Sequence, residues 1–166
     1  MQNFLRFGGS AAVALAFAAF APTAVAQELR NHDLCRQTRG MTPEQLSGGH
    51  MLWESVDVCE TVEGVTKGAI WTSYGMWESD DKGMMKDRGG WAIGRKPGSI
   101  NVCQDITETG TGGPILTDGK VTGWTASGQC LITVSTGDWA PLSGKTWYWT
   151  AVSTGPQAYE IHSEVK

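Results

Sequence analysis

Beyond Gly49 the chain falls into short runs rich in Val, Ile, Thr, Tyr and Trp, set apart by glycine-bearing turns, and no helical periodicity interrupts them. Eight runs can be read, at 50–59, 67–78, 89–95, 99–106, 118–126, 128–135, 144–152 and 157–163. The breaks include "SDDKGMMKDRGG", "KPG", "TGTGGPILTDG", "SG" and "TGDWAPLSG". Each carries Gly, usually with Asp, Ser, Thr or Pro, which supply the backbone angles of tight turns. Strands without crossover helices pair antiparallel, which leaves a sandwich or a barrel. An immunoglobulin-like sandwich expects two cysteines flanking a tryptophan at a characteristic spacing, and that framework is not seen here. Eight strands close into a barrel whose interior holds side chains or one small ligand. The expected fold is all-β: an eight-stranded antiparallel β-barrel over residues 50–166.

Residues 1–26 have the form of a secretory signal peptide. Arg6 precedes the apolar run "SAAVALAFAAFA", and "PTAVA" places small residues at Ala24 and Ala26, so cleavage is expected between Ala26 and Gln27. A bilayer span needs about 20 apolar residues, and no run reaches that length, so no membrane association is expected after cleavage. The expected location is secreted or periplasmic. Residues 27–49 form a polar N-terminal extension, in which Thr42-Pro43-Glu44-Gln45 reads as a capping box opening a short helix that Gly48-Gly49 would stop.

Loss of Arg6 with the signal takes the formal charge from −4 to −5. No Lys/Arg run appears, which argues against nucleic acid and anionic membranes as partners. Cys35, Cys59, Cys103 and Cys130 are an even set with no CxxC spacing, which suits disulfides in an oxidising compartment better than a zinc cluster. Of the three pairings, Cys35–Cys59 and Cys103–Cys130 are preferred. The first would tie the extension to the first strand run, and the second would staple two strands around a glycine-rich loop.

The stretch "GQCLITVSTGDWAPLSGKTWYW" (Gly128–Trp149) ends in three consecutive aromatic residues. Strand alternation sends Trp147 and Trp149 to one face and Tyr148 to the other. The two tryptophans either fill the barrel core or line a pocket, and Trp124, Trp147, Tyr148 and Trp149 are the candidate cavity residues. The same stretch resembles the C-terminal strand pair of bacterial proteins in the allene oxide cyclase and dirigent barrel group. The resemblance rests on a Gly-x-Cys strand (Gly128, Cys130), a turn at Thr136, Gly137, Trp139 and Ala140, and Ser143-Gly144 before the aromatic strand at Tyr148. It implies an eight-stranded antiparallel barrel whose apolar cavity fixes the shape of a reactive guest, as in fatty-acid epoxide cyclisation or phenolic radical coupling. It implies no catalytic residue, because the polar cavity residues of that group do not map onto this sequence.

Other constellations yield less. If the first and last strand runs are neighbours, His50 comes near His162, with Glu160 and Glu164 close by, a minor prospect for metal binding or proton transfer. No Gly-x-Ser-x-Gly elbow occurs, and "TGTGGP" does not match a phosphate loop. Glu54 and Asp57 face opposite sides of their strand, so one points inward, and Glu54 is the one to watch. Trp139, in a turn beside Pro141, is expected to be the most exposed of the eight tryptophans. Met84 and Met85 sit in a charged loop that suits a lid over one barrel mouth or a pair of soft metal ligands.

The expected function is binding of a small apolar or aromatic molecule inside the barrel, with or without steering of its reaction, since the sequence leaves enzyme and binder both open. The alternatives are a cyclase or isomerase of allene oxide cyclase type, a carbohydrate-binding module using exposed tryptophans, and a purely structural secreted protein. No cofactor is expected, and the oligomeric state is left open.

Overall fold

The computed structural model describes residues 29–39 and 43–166. The proposed signal segment 1–26 lies outside the described residues, as does Thr42 of the expected capping box. The described chain forms strands β1 (Arg30–Arg39), β2 (Glu44–Gln45), β3 (Met51–Gly64), β4 (Ile70–Ser79), β5 (Met85–Lys96), β6 (Ser99–Asp105), β7 (Thr111–Thr117), β8 (Lys120–Ser135), β9 (Thr146–Gly155) and β10 (Ala158–Val165). Two 3-10 turns, Ser47–Gly49 and Gly137–Leu142, complete it.

Eight of these strands close into an antiparallel barrel. The order around the wall is β1, β10, β9, β8, β6, β5, β4, β3, and β3 pairs back onto β1. The short β2 pairs only with β3. β7 continues the line of β6 after an excursion at 106–110, pairing with β8 and touching the start of β5. Closure satisfies the edge hydrogen bonds that an open sheet would leave exposed.

Three strand readings change. Residues 30–39, taken as part of a polar extension, are a stave of the wall, so the boundary at residue 50 does not separate the barrel from what precedes it. The polarity has a physical cause: β1 turns Asn31, Asp33 and Cys35 inward, where Asp33 accepts from Thr61 and Asn31 Oδ1 accepts from the Thr66 amide. The expected helix at 42–47 is absent among the described residues, where Glu44 and Gln45 pair with Leu52 and Met51. Finally, the "SG" break at Ser127-Gly128 is not a turn: β8 runs through it, with Gly128 opposite Trp149. The eighth stave that this merger removes is supplied by β1.

Turn chemistry fixes the hairpins where the sequence marks them. Pro97 and Gly98 connect β5 to β6, with Gly98 at φ 78, as a type II turn requires at its third position. Asp118 and Gly119 both adopt positive φ (51 and 74) in the two-residue connection of β7 to β8, the primed geometry that matches strand twist.

The barrel has a sealed floor and an open mouth. At the floor, Ala69, Trp71, Ile132, Trp139, Leu142, Trp147 and Val165 form one buried cluster. Trp139, expected to be exposed, is 2% exposed. The 137–142 turn folds under the barrel and lays the indole of Trp139 against Trp71 (ring centroids 6.3 Å, 13° between planes). Lys96 pins the turn from outside, 3.1 Å from Asp138 and 5.1 Å above the Trp139 ring. Each aromatic side chain buried here contributes about 2–3 kcal/mol by area removed from water.

Both disulfides form the preferred pairs, Cys35–Cys59 and Cys103–Cys130. Cys35 and Cys59 face each other directly across β1 and β3, and Cys103 and Cys130 join β6 to β8. Two such bonds fit an oxidising extracellular or periplasmic environment.

Candidate functional site

Inside the barrel lies a cavity of about 920 Å³ that opens at the mouth. Seven tryptophans border it: Trp53, Trp71, Trp77, Trp124, Trp147 and Trp149 project inward, and Trp91, 37% exposed and stacked on Tyr74, touches only its edge. Six indoles would ordinarily fill a lumen of this size. They leave it hollow because small residues stand beside them. Trp71 on β4 faces Gly94 on β5, and Trp149 on β9 faces Gly128 on β8. A Cβ added to Gly94 would lie 2.7 Å from the Trp71 ring, and one on Gly128 would lie 2.6 Å from that of Trp149. Each indole therefore lies flat over its neighbour's backbone instead of projecting to the centre, the packing known as aromatic rescue of a strand glycine. Ala92, Ala126 and Gly75 keep the rest of the wall low.

Ring contacts fix the indoles against one another. Trp71 meets Trp147 edge to face (5.0 Å, 84°), Trp77 meets Trp149 likewise (6.1 Å, 80°), and Trp124 leans on Tyr159 (5.2 Å). Trp53 donates from Nε1 to Ser79 Oγ at 2.8 Å, and Trp71 Nε1 donates to Thr61 Oγ1 at 2.9 Å.

Into this apolar lumen point three carboxyl groups, Asp33, Asp57 and Asp105. Burial raises the pKa of all three. Asp57 accepts hydrogen bonds from Ser55 Oγ (2.9 Å) and from the Tyr159 hydroxyl, which partly offset its burial. The Tyr159 hydroxyl is itself pushed up, first by burial and then by the Asp57 charge. Asp33 accepts from Thr61 Oγ1 near the floor. Asp105 differs: burial and then the charge of nearby Asp87 push its carboxyl up to about 7. Asp87, 1% exposed, accepts from the Gly89 amide at 2.7 Å through Oδ1, and its Oδ2 has no hydrogen-bond partner. At neutral pH the cavity holds a carboxyl poised between acid and base, the condition for proton transfer to a guest.

Of the four candidate cavity residues, Trp124, Trp147 and Trp149 line the cavity, and Tyr148, which alternation sends to the face opposite Trp147 and Trp149, does not. It points outward beneath the Lys166 ammonium (5.0 Å to the ring). Glu54 also faces out, accepting from the Tyr74 hydroxyl at 2.9 Å, and the inward acid of β3 is Asp57. His50 does not approach His162. It sits at the mouth, bonded to Glu78, which also takes Arg88, whereas His162 lies towards the floor opposite His32. The reason is that β1, not β3, is the first stave. Met84 and Met85 diverge: Met85 lines the mouth, and Met84 is 53% exposed over Gly113, so they are not a ligand pair. Lys82 and Gly83 of the same loop reach the cavity rim.

An inward acid on β3 was expected, though at Glu54 rather than Asp57, and Asp33 and Asp105 escaped notice although the sequence marks all three. Each lies two residues from a disulfide cysteine, in "DLC" (33–35), "DVC" (57–59) and "CQD" (103–105). On a strand, residues two apart share a face, and cysteines that join neighbouring staves on the lumen face carry their aspartates inward with them.

No family model, curated protein or solved structure matches this chain.

Proposed function

We propose that this protein is an exported barrel that takes up one small, flat apolar or aromatic molecule in its lumen and transfers a proton on it. The observation that carries the reading is the hollow itself: about 920 Å³ walled by six tryptophans, held open by the glycines opposite them. A drug-sized or fatty guest fits that volume. Indole faces favour planar or extended apolar chemistry through stacking and area burial. Export follows from the signal-like segment 1–26 and agrees with the two disulfides. Kinship with the allene oxide cyclase and dirigent group enters through the barrel architecture and residues 128–149 alone, and fold does not specify function.

Catalysis, rather than storage alone, is favoured by one specific feature. Asp105 lines the cavity with its carboxyl pushed up to about 7. A binder of neutral apolar molecules has no need of a carboxyl there, and desolvating it costs stability. A cyclisation or isomerisation needs a group that gives and takes a proton near neutrality. The lectin alternative loses ground because six of the eight tryptophans face the lumen.

The test is a fluorescence titration with 1-naphthol, a planar aromatic alcohol. Saturable quenching of tryptophan emission at one equivalent is expected, and Met85→Trp at the mouth should weaken it. Linear, non-saturable quenching that Met85→Trp leaves unchanged would remove the proposal.

A further inference from the structure

On the outside of the barrel, at the seam where β1 meets β10, His32 and His162 are direct cross-strand partners. Their imidazoles stack with centroids 4.5 Å apart and 17° between planes. Glu160, two residues before His162 on the same outer face, brings Oε2 to 3.2 Å from His32 Nε2 and 3.9 Å from His162 Nε2. One donor atom from each of the three residues lies within 4.8 Å of the others. Glu63 stands across from His32 on the opposite neighbour, β3, adding a second carboxylate to the same surroundings.

A carboxylate salt bridge alone accounts for one histidine here, not for two stacked rings turned towards one oxygen. Stacked imidazoles repel when both are protonated. When both are neutral, they offer two nitrogen donors on the same side as an oxygen. A cation bonded at about 2.0–2.2 Å to each of three ligands holds them roughly 3.3–3.6 Å apart. The two Nε2–Oε2 separations bracket that range, and because the stacked rings hold their lone pairs side by side, binding requires them to turn so that both Nε2 atoms face the ion. The set of two imidazoles and one carboxylate leaves further positions open, and a groove of about 700 Å³ lined by His32, His162, Tyr148 and Thr150 gives solvent and a further ligand access. The donor types select zinc or copper over magnesium or calcium, which prefer all-oxygen sites.

We propose that His32, Glu160 and His162 form a binding site for a divalent transition cation, zinc or copper, on the outer face of the β1–β10 seam. The site is separate from the lumen, since its side chains project from the other face of the wall. Its occupant would tie the first stave to the last, so binding stabilises the closed barrel by mass action.

The experiment uses tag-free protein, stripped with chelator and titrated with zinc sulfate or copper(II) alone. The expected result is one cation per chain, a rise in Tm with zinc, and a copper(II) EPR signal carrying hyperfine coupling from two nitrogens. His162→Gln, at a side chain 64% exposed, should fold as the parent does in chelator and lose about tenfold or more in affinity, at least the loss seen when a partner beyond the ligands themselves is removed. His50→Gln should bind as the parent does. Absence of any metal-dependent shift, or affinity retained in the His32→Gln/His162→Gln double variant, would overturn the proposal.

Discussion

Gly94 stands directly across from Trp71 on adjacent staves, and a single methyl group on that glycine would lie 2.7 Å from the indole. The largest side chain type thus lies against the smallest, and the floor beneath them is built on that fit, because Trp71 carries both Trp139 and Trp147. Gly94→Ala should lower stability by about 1–3 kcal/mol, the usual cost of overpacking. The backbone there accepts alanine, so the loss comes from the displaced ring. A fall in urea midpoint with an altered near-UV indole signal is the expected result.

Trp147 is 5% exposed and meets Trp71 edge to face. Trp147→Ala should cost about 3–5 kcal/mol through lost burial and the cavity left behind. Trp147→Phe should recover roughly half or more of it by keeping an aromatic contact. Tyr148→Ala, on the outer face of the same strand, should stay within about 1 kcal/mol of the parent in the same denaturation series.

The Asp105 carboxyl, raised to about 7 by burial and the Asp87 charge, makes stability pH-dependent with a definite sign. The folded protein holds this proton up to about pH 7, whereas the unfolded chain releases it near pH 4. The unfolded state therefore binds fewer protons between those limits, and stability falls as pH rises through that window, then levels off. The contribution is on the order of 2–4 kcal/mol across the window. Asp105→Asn should remove most of this slope, so its denaturation midpoint gains on the parent's as pH rises from about 4 to about 8. Equal slopes for the two proteins would show that Asp105 ionises normally.

Cys35–Cys59 joins the first stave to its neighbour across 24 residues of sequence. Replacing both by serine should cost about 2–4 kcal/mol by freeing the unfolded chain, and hydrogen exchange should rise first along β1. Intact, unreduced protein should show no thiol reactive to Ellman's reagent, in agreement with both disulfides.

The strand rhythm and turn residues made the barrel legible, and cysteine logic made both disulfides so. What escaped was whatever hides periodicity. β1 reads as polar because its inner residues are hydrogen-bonded polar groups: Asp33 receives Thr61, and Asn31 accepts from the Thr66 amide at 2.9 Å. Gly128 reads as a turn because a glycine that makes room for Trp149 looks the same in sequence as one that turns the chain. Trp139 reads as exposed because a turn rich in Pro and Gly gives no sign that it folds under a floor. Alternation put Trp147 and Trp149 on one face without saying which face is inner, and the seam histidines could not be paired until β1 was known to be a stave.

The central claim, that the hollow lumen holds a guest, is most directly tested by native mass spectrometry on protein produced from the full-length sequence, with the denatured, unreduced mass taken alongside. The account predicts a native mass exceeding the denatured one by a single small organic molecule, absent or diminished in Met85→Trp. Identical native and denatured masses, in protein that also gives no saturable response to 1-naphthol, would contradict it.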